Sequence, residues 1–369
     1  MESDIGTRIL EQINRWAGSS RLAGLTKRLE ALDRYFDDDV QVGLDIGTYA
    51  VKAVAVQKTI VGERIRQSVY QPIFQDSAVN RLPGTQEIAE AVKKTMEALN
   101  VRQRRVWLSL SDADIFIRHI RVPPASEEEL AKAVRWEAEK YYPVPPEESI
   151  VDFFPIEREK KNQPDELQEV ILIVSTRKTV ERYLEICRLA GLVPVLMEPS
   201  SLAAARGIIH GQAEKEAIIP VIIVGEAVST IIIIRRKQIF FIKNISINSQ
   251  EIREAVAHPE GFSLMTDQYQ PSTSPDGKSR EVGIHELIRQ FNRSLAYCER
   301  EFLNEMVGDV ILCGGNAGLP ELKQFLSKVL GRPVSVFDAT KIRNDFGGSG
   351  PFSNEQAPSM VAAFGAACI

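Results

Sequence analysis

The stretch VQVGLDIGTYAVKAVAV, residues 40–56, decides how this chain is read. An apolar run reaches Asp45-Ile46-Gly47-Thr48, turns, and resumes with alternating Val and Ala. This pattern predicts two strands joined by a tight turn, and IRQSVYQPIF (65–74) adds a third strand to make a β-meander over 40–75. A glycine in such a turn lets the backbone approach an anion, and adjacent N–H groups can line a concavity for it. Thr48 adds a hydroxyl, Asp45 could hold a magnesium-bound water, and Lys52 could neutralise phosphate charge. Taken alone, the turn is equally a hairpin with an incidental aspartate.

Far downstream, VILCGGNAGLP (310–320) reads as strand, glycine turn and helix start. Gly314 and Gly315 at a strand-to-helix junction would let a flat base or ribose lie on the backbone. Pro320 suits a first helical turn. A plain turn rarely needs so many small residues.

Helices and strands fill the intervening chain. TQEIAEAVKKTMEAL (85–99) is amphipathic, with Thr85 as the expected N-cap. Strands follow at 106–111 and from Asp114 onward. Ser126 and Glu129 form a capping box for a helix that Pro143 stops. Trp136, Tyr141 and Tyr142 on that helix suit either burial or one wall of a peptide groove, burial being the expectation. EVILIVST and VPVLMEP are strands around a helix ending near Gly191, and SSLAAARGIIHG is a helix of small residues. A second series of strands and helices runs from residue 218, which suggests two α/β lobes of similar plan.

Composition bounds the function. The chain has 369 residues, 44% hydrophobic and 26% charged, as expected of a folded protein with a sizeable core. A net charge of −5 argues against a nucleic-acid footprint. Four cysteines without a CxxC pair, and four histidines, outline no metal cluster; reduced core thiols are expected. His119 and His285 show no evident carboxylate or nucleophile partner. The start, MESDIGTRIL, lacks an apolar signal-peptide core. AIIPVIIVGEAVSTIIII (217–234) imitates a membrane span, but Pro220, Glu226 and its β-branched content predict two buried strands around a polar turn.

Residues 1–38 are separable. Ile5, Ile9, Ile13 and Trp16, then Leu22, Leu25, Leu29, Leu32 and Phe36, follow helical spacing. A packed helical pair, a self-association helix and a membrane-surface helix all remain open for this segment. The main body is expected to fold without it.

DIGTYAVKAVAV resembles the first phosphate loop of the actin, sugar kinase and heat-shock chaperone superfamily, and CGGNAGLPELKQFL its adenosine loop. Within that superfamily the chain most resembles the PilM family of type IV pilus assembly proteins. The stretches IRHIRVPPASEEELAKAVRWEAEKYYPVPPEESIVDFF, MEPSSLAAAR and LGRPVSVFDA follow in family order. The resemblance implies an α/β, bilobed actin-like (ribonuclease H-like) fold with an inserted subdomain shared with FtsA. The implied division is an N-terminal helical extension at 1–38, the first lobe at 39–105 and 173–215, and an inserted subdomain at about 106–172. The second lobe then covers 216–350, and a C-terminal helix at 351–369 returns to the first lobe.

The resemblance also implies function. It points to a cytoplasmic scaffold peripheral to the inner membrane, gripping the N-terminal tail of a PilN-like membrane protein and coupling it to pilus motor ATPases. The system would be a type IV pilus or a related secretion apparatus. ATP with magnesium is the implied cofactor, at Asp45, Gly47, Thr48, Lys52, Gly314, Gly315 and Asn316, with Asp45 on the metal through water. Arg289, Asn292 and Arg293 lie on the helix that approaches the base in this superfamily. One departure stands out. Where the family carries a second Asp-Ile-Gly turn, this chain reads Val224-Gly225-Glu226. Glu226 is then a solvated turn residue or a displaced metal ligand, and no catalytic residue is assigned. Two other classes remain as alternatives: an active magnesium-dependent ATPase driving assembly, and an FtsA-like polymerising membrane-filament protein.

Overall fold

The computed structural model describes residues 40–59, 62–74, 81–142, 144–156, 167–211, 218–247, 249–257, 282–302, 305–338 and 356–369. The helical reading of residues 1–38, with its self-association surface, and the stop at Pro143 lie outside them. The chain divides into two compact units. The first holds residues up to Gly211 and Met360–Ile369, and the second holds 212–339 and Ser353–Ser359.

The first unit opens with β1 (Val40–Ile46), β2 (Ala50–Thr59) and β3 (Gly62–Pro72), the expected meander. Then come α1 (Thr85–Leu99), β4 (Arg105–Leu110), β5 (Ile115–Val122) and α2 (Glu127–Tyr141). They are followed by β6 (Ser149–Pro155), β7 (Gln168–Thr176), α3 (Arg177–Ala190), β8 (Val193–Pro199) and α4 (Ser200–Gly211). The N-cap of α1 is Gly84, one residue before the expected Thr85. Glu87 reaches back to accept from the Gly84 N–H at 2.8 Å, so the capping carboxylate needs no side chain at the cap itself. The Ser126–Glu129 box on α2 forms as expected.

The second unit holds β9 (Ile219–Val224), β10 (Ser229–Arg235), β11 (Gln238–Ile245), α5 (Ser249–Ala257) and α6 (Val282–Glu301). It continues with β12 (Val310–Cys313), α7 (Leu322–Leu330) and β13 (Val334–Val336). The apolar stretch at 217–234 is therefore two strands, and no described helix is long and apolar enough to cross a membrane. Helix α7 starts at Leu322, so Pro320 sits in the preceding turn rather than the first helical turn.

Both units are built on one strand order. In the first, β3-β2-β1-β4-β8 are neighbours in that sequence, β1 pairing antiparallel with β2 and parallel with β4. In the second, β11-β10-β9-β12-β13 repeat the order, β9 pairing antiparallel with β10 and parallel with β12. The repeated plan read from element order is thus a repeated topology. The parallel neighbours explain why β12 and most of β1 are buried throughout: a strand covered on both faces reads as an unbroken apolar run. Strand β4, at the expected start of the inserted subdomain, belongs by pairing to the first sheet. The pairing of β5 with β7, and of β7 with β6, begins at Ile115. Helix α2 covers these three strands through Leu130, Val134 and Ala138.

The last helix, α8 (Val361–Ala367), is wholly buried in the first unit. It is packed main chain to main chain. A Cβ on Gly43 of β1 would come within 2.0 Å of the Ala363 carbonyl oxygen. One on Gly365 would come within 1.8 Å of the Ala203 carbonyl oxygen on α4, and one on Gly207 within 2.6 Å of the Val361 carbonyl oxygen. Polar contacts finish the join. Gln41 Nε2 donates to the Ile369 carbonyl at 3.2 Å. Arg206, held by Glu198 at 2.7 and 2.8 Å, donates to the Gly365 carbonyl at 3.1 Å. All four cysteines are buried outside any disulfide, and burial pushes the Cys187 thiol up to about 12.

Gly365→Ala inserts a methyl where only a carbonyl oxygen fits. The expected loss is about 3 kcal/mol, the upper end of ordinary overpacking, read as a lower urea midpoint at unchanged slope. An unchanged midpoint would show that α8 shifts without cost.

Candidate functional site

The first cluster follows from strand register. Residues paired across neighbouring strands share a face. Lys52 on β2 is opposite Asp45 on β1, Asp45 opposite Ser109 on β4, and Ser109 opposite Glu198 on β8. Four polar side chains therefore lie abreast, near the carboxyl ends of the parallel strands β1, β4 and β8. Ligands in open α/β sheets gather outside such ends.

Within this row Lys52 Nζ donates to Asp45 Oδ2 at 2.8 Å, and Ser109 Oγ donates to Asp45 Oδ1 at 2.9 Å. The Asp45 and Lys52 side chains are only 5% and 12% exposed. A buried carboxylate is tolerable there because an ammonium and a hydroxyl satisfy it. Gly47 closes the turn by donating its N–H to the Ala50 carbonyl at 3.0 Å, and Thr48 is half-buried beside it. A Cβ on Gly47 would meet Lys52 Nζ at 2.9 Å, the movable end of a flexible side chain. At this turn the Asp45 carboxylate, the Lys52 ammonium and the Gly47 N–H are all engaged in bonds within the chain.

The second cluster belongs to the second unit. Gly314 has φ +100°, and a Cβ there would come within 2.6 Å of the Val224 carbonyl oxygen. That glycine is required by the chain's own backbone. Gly315 is exposed with open space around its Cα. Asn316 is 7% exposed and is committed to its neighbours. Its backbone N–H donates to the Val224 carbonyl at 3.1 Å. Its Nδ2 donates to the Gly225 carbonyl at 3.2 Å and to Glu226 Oε2 at 3.0 Å. Arg253 on α5 donates to Asn316 Oδ1 at 3.0 Å. Glu226, left open in sequence as a solvated turn residue or a metal ligand, also accepts from Ser249 Oγ at 2.5 Å. Gly225 would place a Cβ 2.4 Å from the Val228 carbonyl oxygen, so it too serves turn closure. This turn does not suit magnesium and phosphate, because its one carboxylate is already shared out among side chains.

Sequence reasoning singled out Asp45, Lys52 and Asn316 but missed Ser109, Glu198, Ser249 and Arg253. The first pair needs the parallel register of β4 and β8, which no local pattern encodes. The second pair carried a signal, four residues apart at the start of a helix and hence on one face. Arg289 lies on α6 and pairs with Glu286 one turn earlier, and Asn292 and Arg293 are exposed. His119 does have a carboxylate neighbour: its Nε2 lies 3.3 Å from Glu169 Oε2, and Arg121 Nε donates to Glu169 Oε1 at 3.0 Å. The antiparallel β5–β7 register makes that arrangement.

The aromatic residues of α2 depart from the expected burial. Trp136 is 63% exposed and Tyr141 38% exposed, while Tyr142 is half-buried with its ring 5.8 Å from Phe116. Helical phase explains the exposure of Trp136. Leu130, Val134 and Ala138 face the strands, and Trp136 stands two residues from Val134, about 200° around the helix. Lys140 Nζ lies 3.7 Å from the centre of the Trp136 ring, and the Arg118 guanidinium 4.0 Å from that of Tyr141.

Lys52→Met leaves a buried carboxylate without its cation. The expected loss is about 3 kcal/mol, and less in the double variant Asp45→Asn/Lys52→Met, in which no charge remains. A double-mutant cycle by urea unfolding, with Asp45→Asn as the other single variant, measures this; a double-variant loss equal to the sum of the two single losses would show that the pair is not coupled.

A family model for type IV pilus assembly protein PilM matches residues 43–367. Among solved structures the chain is similar to that of a PilM–PilN type IV pilus biogenesis complex, at 22% identity and TM-score 0.67, covering 89% of this chain and 97% of that one. It is also similar, at 14% identity and TM-score 0.43, to the ethanolamine utilization protein EutJ from Carboxydothermus hydrogenoformans, covering 89% of each. A protein with an actin-like ATPase fold from Bacteroides thetaiotaomicron is 10% identical at TM-score 0.43, covering 84% of this chain and 96% of that one. The two α/β units expected from the sequence stand, and the likeness at TM-score 0.67 shows a fold shared with that complex's matching chain.

Proposed function

Because the chain belongs to the family of type IV pilus assembly protein PilM, we propose that it is a cytoplasmic scaffold at the inner-membrane platform of a type IV pilus or related secretion machine. In this reading it holds the N-terminal tail of a PilN-like membrane protein and links that protein to the pilus motor ATPases. The relative of TM-score 0.67 was solved as a PilM–PilN complex, which supports a partner of that kind. The observation that carries the docking is the exposed indole of Trp136 on α2. An indole 63% exposed is what a peptide anchor needs: large, rigid and partly apolar.

ATP and magnesium enter this reading without chemistry. The residues expected to meet ATP and magnesium, Asp45, Gly47, Thr48 and Lys52 in the first unit and Gly314, Gly315 and Asn316 in the second, need no nucleotide in this reading, because the Asp45, Lys52 and Asn316 side chains are bonded within their own units. No residue is assigned a catalytic role. The carboxylates that hydrolysis would recruit, Asp45 and Glu226, are each hydrogen-bonded within their own unit.

Titration calorimetry with a synthetic tail of the PilN-like partner tests the proposal. The intact chain is expected to bind the tail, and Trp136→Ala to weaken binding about 30-fold, the effect of losing an aromatic hot spot of about 2 kcal/mol. No binding by the intact chain would overturn the scaffold reading. Equal binding by the variant would move the tail off α2.

A further inference from the structure

The network around Glu226 joins three segments of the second unit: the β9–β10 turn, the loop after β12 and the start of α5. Asn316 is its centre, with bonds to Val224, Gly225, Glu226 and Arg253. Ser249 fastens the same turn twice, its N–H donating to the Glu226 carbonyl at 3.0 Å and its hydroxyl to the carboxylate. Both Glu226 carboxylate oxygens are thus hydrogen-bonded inside the unit.

We infer that Glu226 is a specificity-determining residue that bars phosphate and magnesium from this turn, and that its network with Asn316 keeps the two loops together without nucleotide. Three observations carry this. First, a phosphate brought to the turn would meet a fixed negative charge and be repelled. Second, a magnesium ion would have to take the carboxylate from Ser249 and Asn316, and it demands strict octahedral oxygen geometry in return. Third, the turn glycines are explained without a ligand: Gly225 and Gly314 are each placed against a carbonyl oxygen of the chain itself, at 2.4 and 2.6 Å from a built Cβ. The network is also well sheltered, with Asn316 buried and Glu226 half-buried, so its bonds are not readily exchanged for water.

The inference takes from the family reading only the choice of ATP as probe, and tail binding does not enter it. Thermal unfolding of the full chain, with and without millimolar ATP and magnesium, tests it in three proteins. The intact chain is expected to unfold at the same temperature in both conditions, within about 1 °C. Glu226→Gln removes the charge but keeps an oxygen to accept from Asn316. It is expected to gain a nucleotide-dependent rise of about 3 °C or more. Ser249→Ala keeps the charge and drops one bond. It is expected to unfold about 2 °C lower and to stay insensitive to nucleotide. A clear rise in the intact chain would overturn the inference. So would a Glu226→Gln protein that remains insensitive, because the charge would then not be what excludes the ligand. A rise appearing in Ser249→Ala would equally contradict it. Should Glu226→Gln fail to fold, the intact chain and Ser249→Ala still decide between exclusion and binding.

Discussion

The first unit depends on a helix laid directly on main chain. Between α8 and its neighbours β1 and α4 there is no layer of side chains at Gly43, Gly207 and Gly365; carbonyl oxygens occupy the space that a methyl would need. Such closeness gives dense dispersion contact, and it admits no larger residue. It also fixes β1 in position from behind. Asp45 therefore stands at a set height between Lys52 and Ser109, and the polar row across four strands follows from the register of that one strand. The last residues of the chain thus help to set the geometry of a turn that begins more than three hundred residues earlier, through the Gln41–Ile369 bond and the Arg206 bridge.

Much of this architecture was legible in sequence because its signals are local. Alternation marked β2, an uninterrupted apolar run marked β12, and Ser126 with Glu129 marked the start of α2. The repeated plan of strands and helices was visible too, and proved to be a repeated strand order. What stayed hidden depends on distant pairing. Ser109 and Glu198 join the row only through parallel neighbours, and His119 meets Glu169 only through the β5–β7 register. The cap of α1 fell one residue early because a glutamate reaching back replaced the expected threonine. Trp136 was a different kind of miss. Its exposure was encoded in helical phase, but the usual tendency of indoles to be buried suggested the opposite.

The two glycine turns illustrate how one sequence feature can have two physical causes. At Gly47 the nearest obstacle is the end of a lysine, which can move; at Gly225 and Gly314 it is fixed backbone. Glycine in a ligand-like motif is therefore not by itself a sign of a ligand. The charge of Glu226 separates the two turns further. In the first turn a carboxylate is paired with a cation; in the second it is shared between a hydroxyl and an amide. Under the proposed function this chain holds a partner without turning over a nucleotide, and the exposed indole of Trp136 on α2 is what it offers to that partner.

Hydrogen–deuterium exchange of the intact chain, alone, with the partner's tail and with ATP and magnesium, tests this account most directly. The account predicts that the tail slows exchange in α2 and the adjoining β5, and that nucleotide leaves the loops at 224–226 and 314–316 unchanged. Protection of those loops by nucleotide, with α2 untouched by the tail, would contradict it.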